Sequence, residues 1–273
     1  MGSGVIFVRS LAKITPDPKY SPVPGTLERF VISSPRSPGR LVTVYVPEAS
    51  PRGAQVLLLH DGQNLFEPER AHVPGQHWRV AETADALIAA GRIPPVVIAG
   101  IDHLGEARGQ EMTPTIGDRP GMGGGAVYGR FLMEDLLPYL ARIYGVRTDA
   151  AGVGVGGSSL GGLITLAIAC QYPGRLGRLL VMSPSVWWDD RVILRRLRRT
   201  GFGGRPRVWI DIGRREGART ITDTRALRDA LIWQTSALRY FEDPEGHHTE
   251  SDWARRLPTA LEWLYQPTSP SMA

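Results

Sequence analysis

From residue 55 onward the sequence alternates short, wholly apolar runs with longer stretches of helical periodicity, and that rhythm belongs to a mostly parallel sheet with helices on both faces. Strands buried on both sides are expected at 55–59, 95–101, 152–156, 178–182, 208–212 and 238–241. Helical patterns fill the intervals at 78–90, 126–144, 160–172, 191–199, 221–234 and 251–265. Ahead of them, 27–33 and 40–47 alternate with polar residues, and the stretch 34–39, with two prolines, reads as a hairpin loop between two antiparallel strands. The fold class expected is α/β, a sheet of about eight strands that starts antiparallel and continues parallel. No segment is long enough for a large cap; only 101–125, with its glycine run at 121–125, can cover a site. Pro16, Pro18, Pro22 and Pro24 set residues 1–25 apart as an extended arm, leaving a domain over 26–266 and a tail over 267–273.

Composition removes several function classes. A chain of 273 residues with 42% hydrophobic and 22% charged residues builds one sizeable core rather than a disordered or coiled-coil chain. No apolar run approaches the roughly eighteen residues of a membrane span, and the first residues lack the pattern of a secretory signal, so the expected location is cytoplasmic, with no membrane partner. The one cysteine, Cys170, sits in an apolar run and reads as core filling. The net charge of +5 is carried by arginine, since Lys13 and Lys19 are the only lysines. The cluster Arg191, Arg195, Arg196, Arg198 and Arg199 reads as a solvated helix face; no nucleic-acid motif accompanies it. Homo-oligomerisation is left open.

Gly157-Ser158-Ser159-Leu160-Gly161 matches G-x-S-x-G, the sharp turn that lifts a serine hydroxyl above the end of a sheet. An apolar strand runs into it and a nearly all-apolar helix leaves it, with the helix N-terminus aimed where an oxyanion would develop. Side chains at 157 and 161 are expected to collide in so tight a turn. Gly152, Gly154 and Gly157 also fit G-x-G-x-x-G, but no acidic residue follows at the spacing a dinucleotide site needs. Serine needs an imidazole to take its proton, and in hydrolases of this architecture the chain order is serine, acid, histidine. His247 and His248 lie after the last expected strand. Glu216 follows the preceding strand, with Asp211, Asp223 and Asp243 as other candidates for the acid. Backbone N–H groups of Leu160 and of the 60–64 loop would hold the oxyanion. No paired metal-ligand spacing is present, and neither metal nor cofactor is expected.

Taken in order, these segments resemble the putative-esterase family of α/β-hydrolases, which includes enterochelin esterases, S-formylglutathione hydrolases, feruloyl esterase domains and mycolyltransferases. The segments are Leu57 to Phe66 with its His60-Asp61-Gly62-Gln63, then Arg108, Glu111 and Pro114, then Gly157 to Gly162, Ser183 to Trp188, and Gly246 to Trp253. The likeness runs from about residue 27 to 264. It implies hydrolysis of the carboxylic ester of a small molecule through an acyl-enzyme, with Ser159 as nucleophile, His248 as base, Glu216 as the orienting acid where many members carry aspartate, and Leu160 with Gln63 at the oxyanion. Asp61, Arg108, Glu111, Trp187 and Trp188 are the candidate substrate contacts. Transfer of the acyl group to an alcohol, and ligand binding without catalysis, are the alternatives the resemblance leaves.

Overall fold

The computed structural model of the chain describes residues 7–14 and 24–266, the first of these segments by its backbone. Pro16, Pro18 and Pro22 of the expected arm, and the 267–273 tail, lie outside the described residues. The antiparallel start consists of β1 (Phe7–Ile14), β2 (Thr26–Ser34) and β3 (Ser37–Val46). The parallel part consists of β4 (Gln55–His60), β5 (Val96–Ile101), β6 (Val153–Ser158), β7 (Arg178–Met182), β8 (Arg207–Gly213) and β9 (Ala237–Asp243). All nine form one sheet in the order β1-β2-β3-β5-β4-β6-β7-β8-β9.

Eight of these strands are those expected. The ninth corrects the extended arm, because residues 7–14 pair antiparallel with β2. The prolines that mark the arm begin only at Pro16, and the stretch before them carries Val8, Leu11 and Ile14 with no residue that forbids a ladder. The 34–39 loop is also shorter than expected, since β2 and β3 leave only Pro35 and Arg36 between them.

Alternation along β4 shows how the sheet builds two cores. Val56 and Leu58 join one cluster with α5 (Leu160–Gln171), α6 (Trp188–Thr200) and α7 (Ala218–Leu231). Leu57 and Leu59 point the other way, to α1 (Val80–Ala89) and α8 (Glu250–Tyr265). The helical stretch expected at 126–144 is continuous but contains a π-helical segment at Phe131–Leu136. In α6, Asp189, Asp190 and Arg191 have φ of 43°, 46° and 60°, so the regular helix starts after Arg191, near the expected boundary. No helix among the described residues is long and apolar enough to cross a membrane. Because the parallel strands all end on one side, the loops after β4, β5, β6, β7, β8 and β9 meet above the same sheet edge.

Candidate active site

Ser159 stands between β6 and α5 with φ 58° and ψ −121°, a left-handed conformation that a residue with a Cβ adopts only under constraint. The constraint is visible. Its N–H donates to the carbonyl of Met182 at 3.0 Å, and its carbonyl accepts from Ser185 N–H at 3.0 Å. The steric need for glycine differs from the expectation. A Cβ at Gly157 would stand 3.1 Å from the His60 ring, but one at Gly161 would meet only ordinary contacts from 3.4 Å. The tightest position is Gly156, where a Cβ would lie 2.5 Å from Leu180 Cβ on the neighbouring strand. The motif glycine at 161 is therefore the least demanded of the three.

His248, on the loop after β9, presents Nε2 to Ser159 Oγ at 3.0 Å and Nδ1 to Glu216 Oε2 at 2.6 Å. Its ring meets Trp253 edge-on, with centroids 4.9 Å apart. His247 turns away, half exposed, with its ring near Asp252. Of the four candidate acids, only Glu216 reaches the imidazole. Asp211 is fully buried and accepts from Trp209 Nε1 at 2.8 Å, and burial pushes its carboxyl up to about 6. Asp223 pairs with Arg191, and Asp243 with Arg255.

The other oxygen of Glu216 is held as firmly as the first. Oε1 accepts from Gly213 N–H at 2.8 Å and from Ser183 Oγ at 2.6 Å. Ser183 in turn accepts from Trp253 Nε1 and from Arg256 Nη2, both at 3.0 Å. Both donors can only donate, so the hydroxyl proton of Ser183 has one destination, the Glu216 carboxylate. Burial raises the Glu216 carboxyl, but the hydrogen bonds from His248, Ser183 and Gly213 outweigh it and hold the group below the usual carboxylate range. Arg256 lies buried among Asp211 at 3.3 Å, Asp243 at 3.7 Å and Glu216 at 3.9 Å, a buried cation shared by three acids, of which Asp243 also pairs with Arg255 at 2.8 Å. Neither Ser183 nor Arg256 stood out in the sequence as part of a site. The segments Ser183 to Trp188 and Gly246 to Trp253 did, and the hydrogen bond from Trp253 to Ser183 is what joins them.

A cleft of about 740 Å³ opens over Ser159 and His248, and Gln63, His103, Arg108 and Glu250 help to line it. Gln63 sits in the short 3₁₀ turn Gly62–Asn64, and Leu160 is the first residue of α5, so the N–H of Leu160 has no acceptor within its helix. Asp61 and Arg108 are joined by two parallel hydrogen bonds of 2.7 and 2.8 Å. Glu111 does not join them. It pairs instead with the buried Arg40, which also donates to the Asp102 carbonyl, and it lies outside the cleft lining. Trp187 and Trp188 are not among the lining residues either. Trp188 is buried, with its indole N–H on Thr115, and Trp187 is partly exposed next to it. Of the two, Trp188 is packing and Trp187 stays at the surface.

Glu250 is a lining residue the sequence did not single out. It accepts from Asn64 Nδ2 at 2.9 Å and from the indole N–H of Trp78, and burial pushes its carboxyl up to about 7. Its only sequence signal is its place at the head of α8 beside the histidine. His60 is buried below the turn, and burial drops its imidazole to about 4. Thr165 gives its hydroxyl proton to the Gly161 carbonyl, so His60 Nε2 donates to Thr165 and Nδ1 accepts from Tyr128. No group of three or more metal-ligating side chains is found among the described residues.

The profile of the family described as Putative esterase matches residues 38–264, most of the chain and every loop just described. The chain belongs to this esterase family. Among curated relatives, the iron(III) enterobactin esterase of Dickeya dadantii is 28% identical over 220 residues, which cover 73% of this chain and 48% of that protein. The chain thus spans about half the length of that relative. An uncharacterised Bacillus subtilis protein, YbbA, is 24% identical over 257 residues, covering 86% of this chain and 96% of that one. Among solved structures, the BES protein of Bacillus cereus superposes with a TM-score of 0.74 at 19% identity, covering 88% of this chain and 95% of the other. That likeness is one of fold, the α/β-hydrolase type of this esterase family.

Proposed function

We propose that this member of the family is a serine-dependent carboxylic ester hydrolase that works through an acyl-enzyme. The observation that carries the reading is the continuous hydrogen-bonded chain from Ser159 Oγ through His248 to Glu216, at the floor of an open cleft. Ser159 Oγ adds to the ester carbonyl as His248 Nε2 takes its proton, and the Glu216 carboxylate, charged at neutral pH, stabilises the imidazolium. The N–H groups of Leu160 and Gln63 receive the charge that develops on the carbonyl oxygen. His248 then gives its proton to the departing alcohol oxygen. In the second half it takes one from water, which cleaves the acyl-serine.

The substrate class proposed is the ester of a siderophore of the enterochelin type, on the strength of the Dickeya relative. A cleft of about 740 Å³ is within the range that encloses a small-molecule ligand, and Arg108 presents a guanidinium on its wall. The test compares wild type with Ser159→Ala for turnover of p-nitrophenyl esters and of enterobactin, with mass spectrometry after an organophosphonate probe. Activity and label that vanish together in the variant support the serine mechanism; turnover that survives in Ser159→Ala overturns it. Turnover of p-nitrophenyl esters without enterobactin cleavage would overturn the substrate class alone.

A further inference from the structure

The opposite edge of the sheet carries its own cavity, of about 550 Å³, where the parallel strands begin. Arg178 opens β7 and Arg207 opens β8, and Arg205 stands two residues ahead of Arg207; all three line this cavity. No aspartate or glutamate lines it, and none of the three guanidinium groups forms an ion pair among the described residues. Elsewhere in this chain arginine is usually paired, as Arg36, Arg70, Arg147, Arg225 and Arg255 are. Like charges lining one cavity without a counter-charge repel one another, as Arg178 and Arg207 do, and an anion seated beside them relieves that repulsion.

Each of the three groups also has a contact that orients it. Arg178 donates to the carbonyls of Leu264 at 3.0 Å and Ala151 at 2.6 Å, and its guanidinium lies over the Tyr265 ring. Arg205 donates twice to the Thr235 carbonyl. Arg207 lies over Trp263, 4.4 Å from the ring centroid, and its buried Nε has no hydrogen-bond acceptor. Tyr265, only 2% exposed, also lines the cavity, and its buried hydroxyl is likewise without a hydrogen-bond partner. A buried donor left unmatched costs free energy, and the two such groups here, Arg207 Nε and the Tyr265 hydroxyl, belong to side chains that line this cavity. Burial next to Arg178 also lowers the affinity of Arg207 for its proton, which a bound anion would restore.

We infer that this cavity is a second ligand site that takes a phosphate group, about 20 Å from Ser159 along the strands, given six residues of β6 at roughly 3.3 Å each. A dianionic, tetrahedral oxyanion offers acceptors to several guanidinium forks at once, whereas a carboxylate carries half the charge. The cavity is larger than a phosphate ion, so the group arrives either as the free ion or on a small phosphate ester.

The test is calorimetric titration of the full chain at constant ionic strength with inorganic phosphate, phenyl phosphate and benzoate. Saturable binding of a phosphate probe is expected, with benzoate weaker by about tenfold or more. Tighter binding of phenyl phosphate than of phosphate identifies an ester as the ligand, and equal or tighter binding of inorganic phosphate identifies the free ion; both support the site. Arg207→Gln should weaken phosphate by about tenfold or more, and Arg205→Gln, which removes a more exposed group, supplies the same reading if Arg207→Gln does not fold. Arg198→Gln, outside the cavity, should leave affinity unchanged. Absence of saturable phosphate binding, benzoate as tight as phenyl phosphate, or unchanged affinity in the two cavity variants would overturn the inference. Turnover of p-nitrophenyl acetate serves only to show that each variant is folded.

Discussion

Replacing Glu216 by glutamine tests the hydrogen-bond chain most sharply, because the surroundings dictate how the amide must sit. Position Oε1 receives a hydrogen from the Gly213 backbone and another from Ser183, whose proton has no other acceptor. Two fixed donors at that point accept only the amide oxygen, so the amide NH₂ is forced onto His248 Nδ1. There it donates, and Nδ1 must become the acceptor. The imidazole proton then sits on Nε2, facing Ser159 Oγ, where a general base has to be unprotonated. Side-chain shape and packing are almost unchanged, yet the base carries the wrong tautomer. The expected loss in kcat is about 10⁴-fold, equivalent to about 5.5 kcal/mol of transition-state stabilisation, with KM little affected. Steady-state hydrolysis of p-nitrophenyl butyrate measures it, and thermal unfolding checks that the variant is folded. A kcat within about tenfold of wild type would refute the tautomer argument and point to a serine-histidine pair that needs no acid.

Three further outcomes follow from the same geometry. Arg256→Met removes the buried cation among Asp211, Asp243 and Glu216, leaving only the half-exposed Arg255 on Asp243, and should destabilise the fold by about 3–5 kcal/mol in denaturant titration; a loss below about 1 kcal/mol would mean that the acids are neutralised by other means. Glu250 binds its proton more tightly folded than unfolded, so between its ordinary value of 4.5 and about 7 the native state holds the extra proton and stability falls as pH rises. Glu250→Gln should remove that decline, by at most about 3 kcal/mol across the window, and unfolding curves at pH 4.5 and 7.5 that keep the wild-type difference would contradict it. Gly156→Ala drives a methyl group to 2.5 Å from Leu180 Cβ and should cost about 1–3 kcal/mol, whereas Gly161→Ala should cost less; equal melting temperatures for the two would count against the close approach of β6 and β7.

What was legible in the sequence was what local periodicity and chain order encode. The strands from β2 to β9 declare themselves through unbroken apolar runs or through alternation, and the nucleophile turn through a strand, two glycines and an apolar helix in succession. Ser159 and Glu216 follow from the order in which such loops reach one sheet edge, which leaves His247 and His248 equal; the family resemblance favours His248, and the structure brings Ser159, Glu216 and His248 together. Partnerships between distant segments were not legible. Arg108 and Glu111 are three residues apart, yet each bonds across the fold, one to Asp61 and the other to Arg40. Nothing in the string Trp187-Trp188 tells a cleft wall from a packed interior, because that depends on contacts with distant segments, such as the Thr115 carbonyl that takes the Trp188 indole N–H. β1 carries no such signal, because the prolines from Pro16 onward mark the whole segment as extended and only its pairing with β2 makes it a strand.

The three reacting side chains stand on parts of the sheet that differ in depth. Ser159 leaves β6, which has strands on both sides and is buried at every residue, while His248 follows β9, the outermost strand, where Phe241 and most of its neighbours reach solvent. An outer strand opens at lower free energy than the centre of its sheet, so β9 can detach while the rest of the molecule remains folded. The imidazole would leave with it. Activity is then expected to be lost before the fold on warming, by a margin set by how firmly β9 is held against β8 and His248 against Glu216 and Trp253.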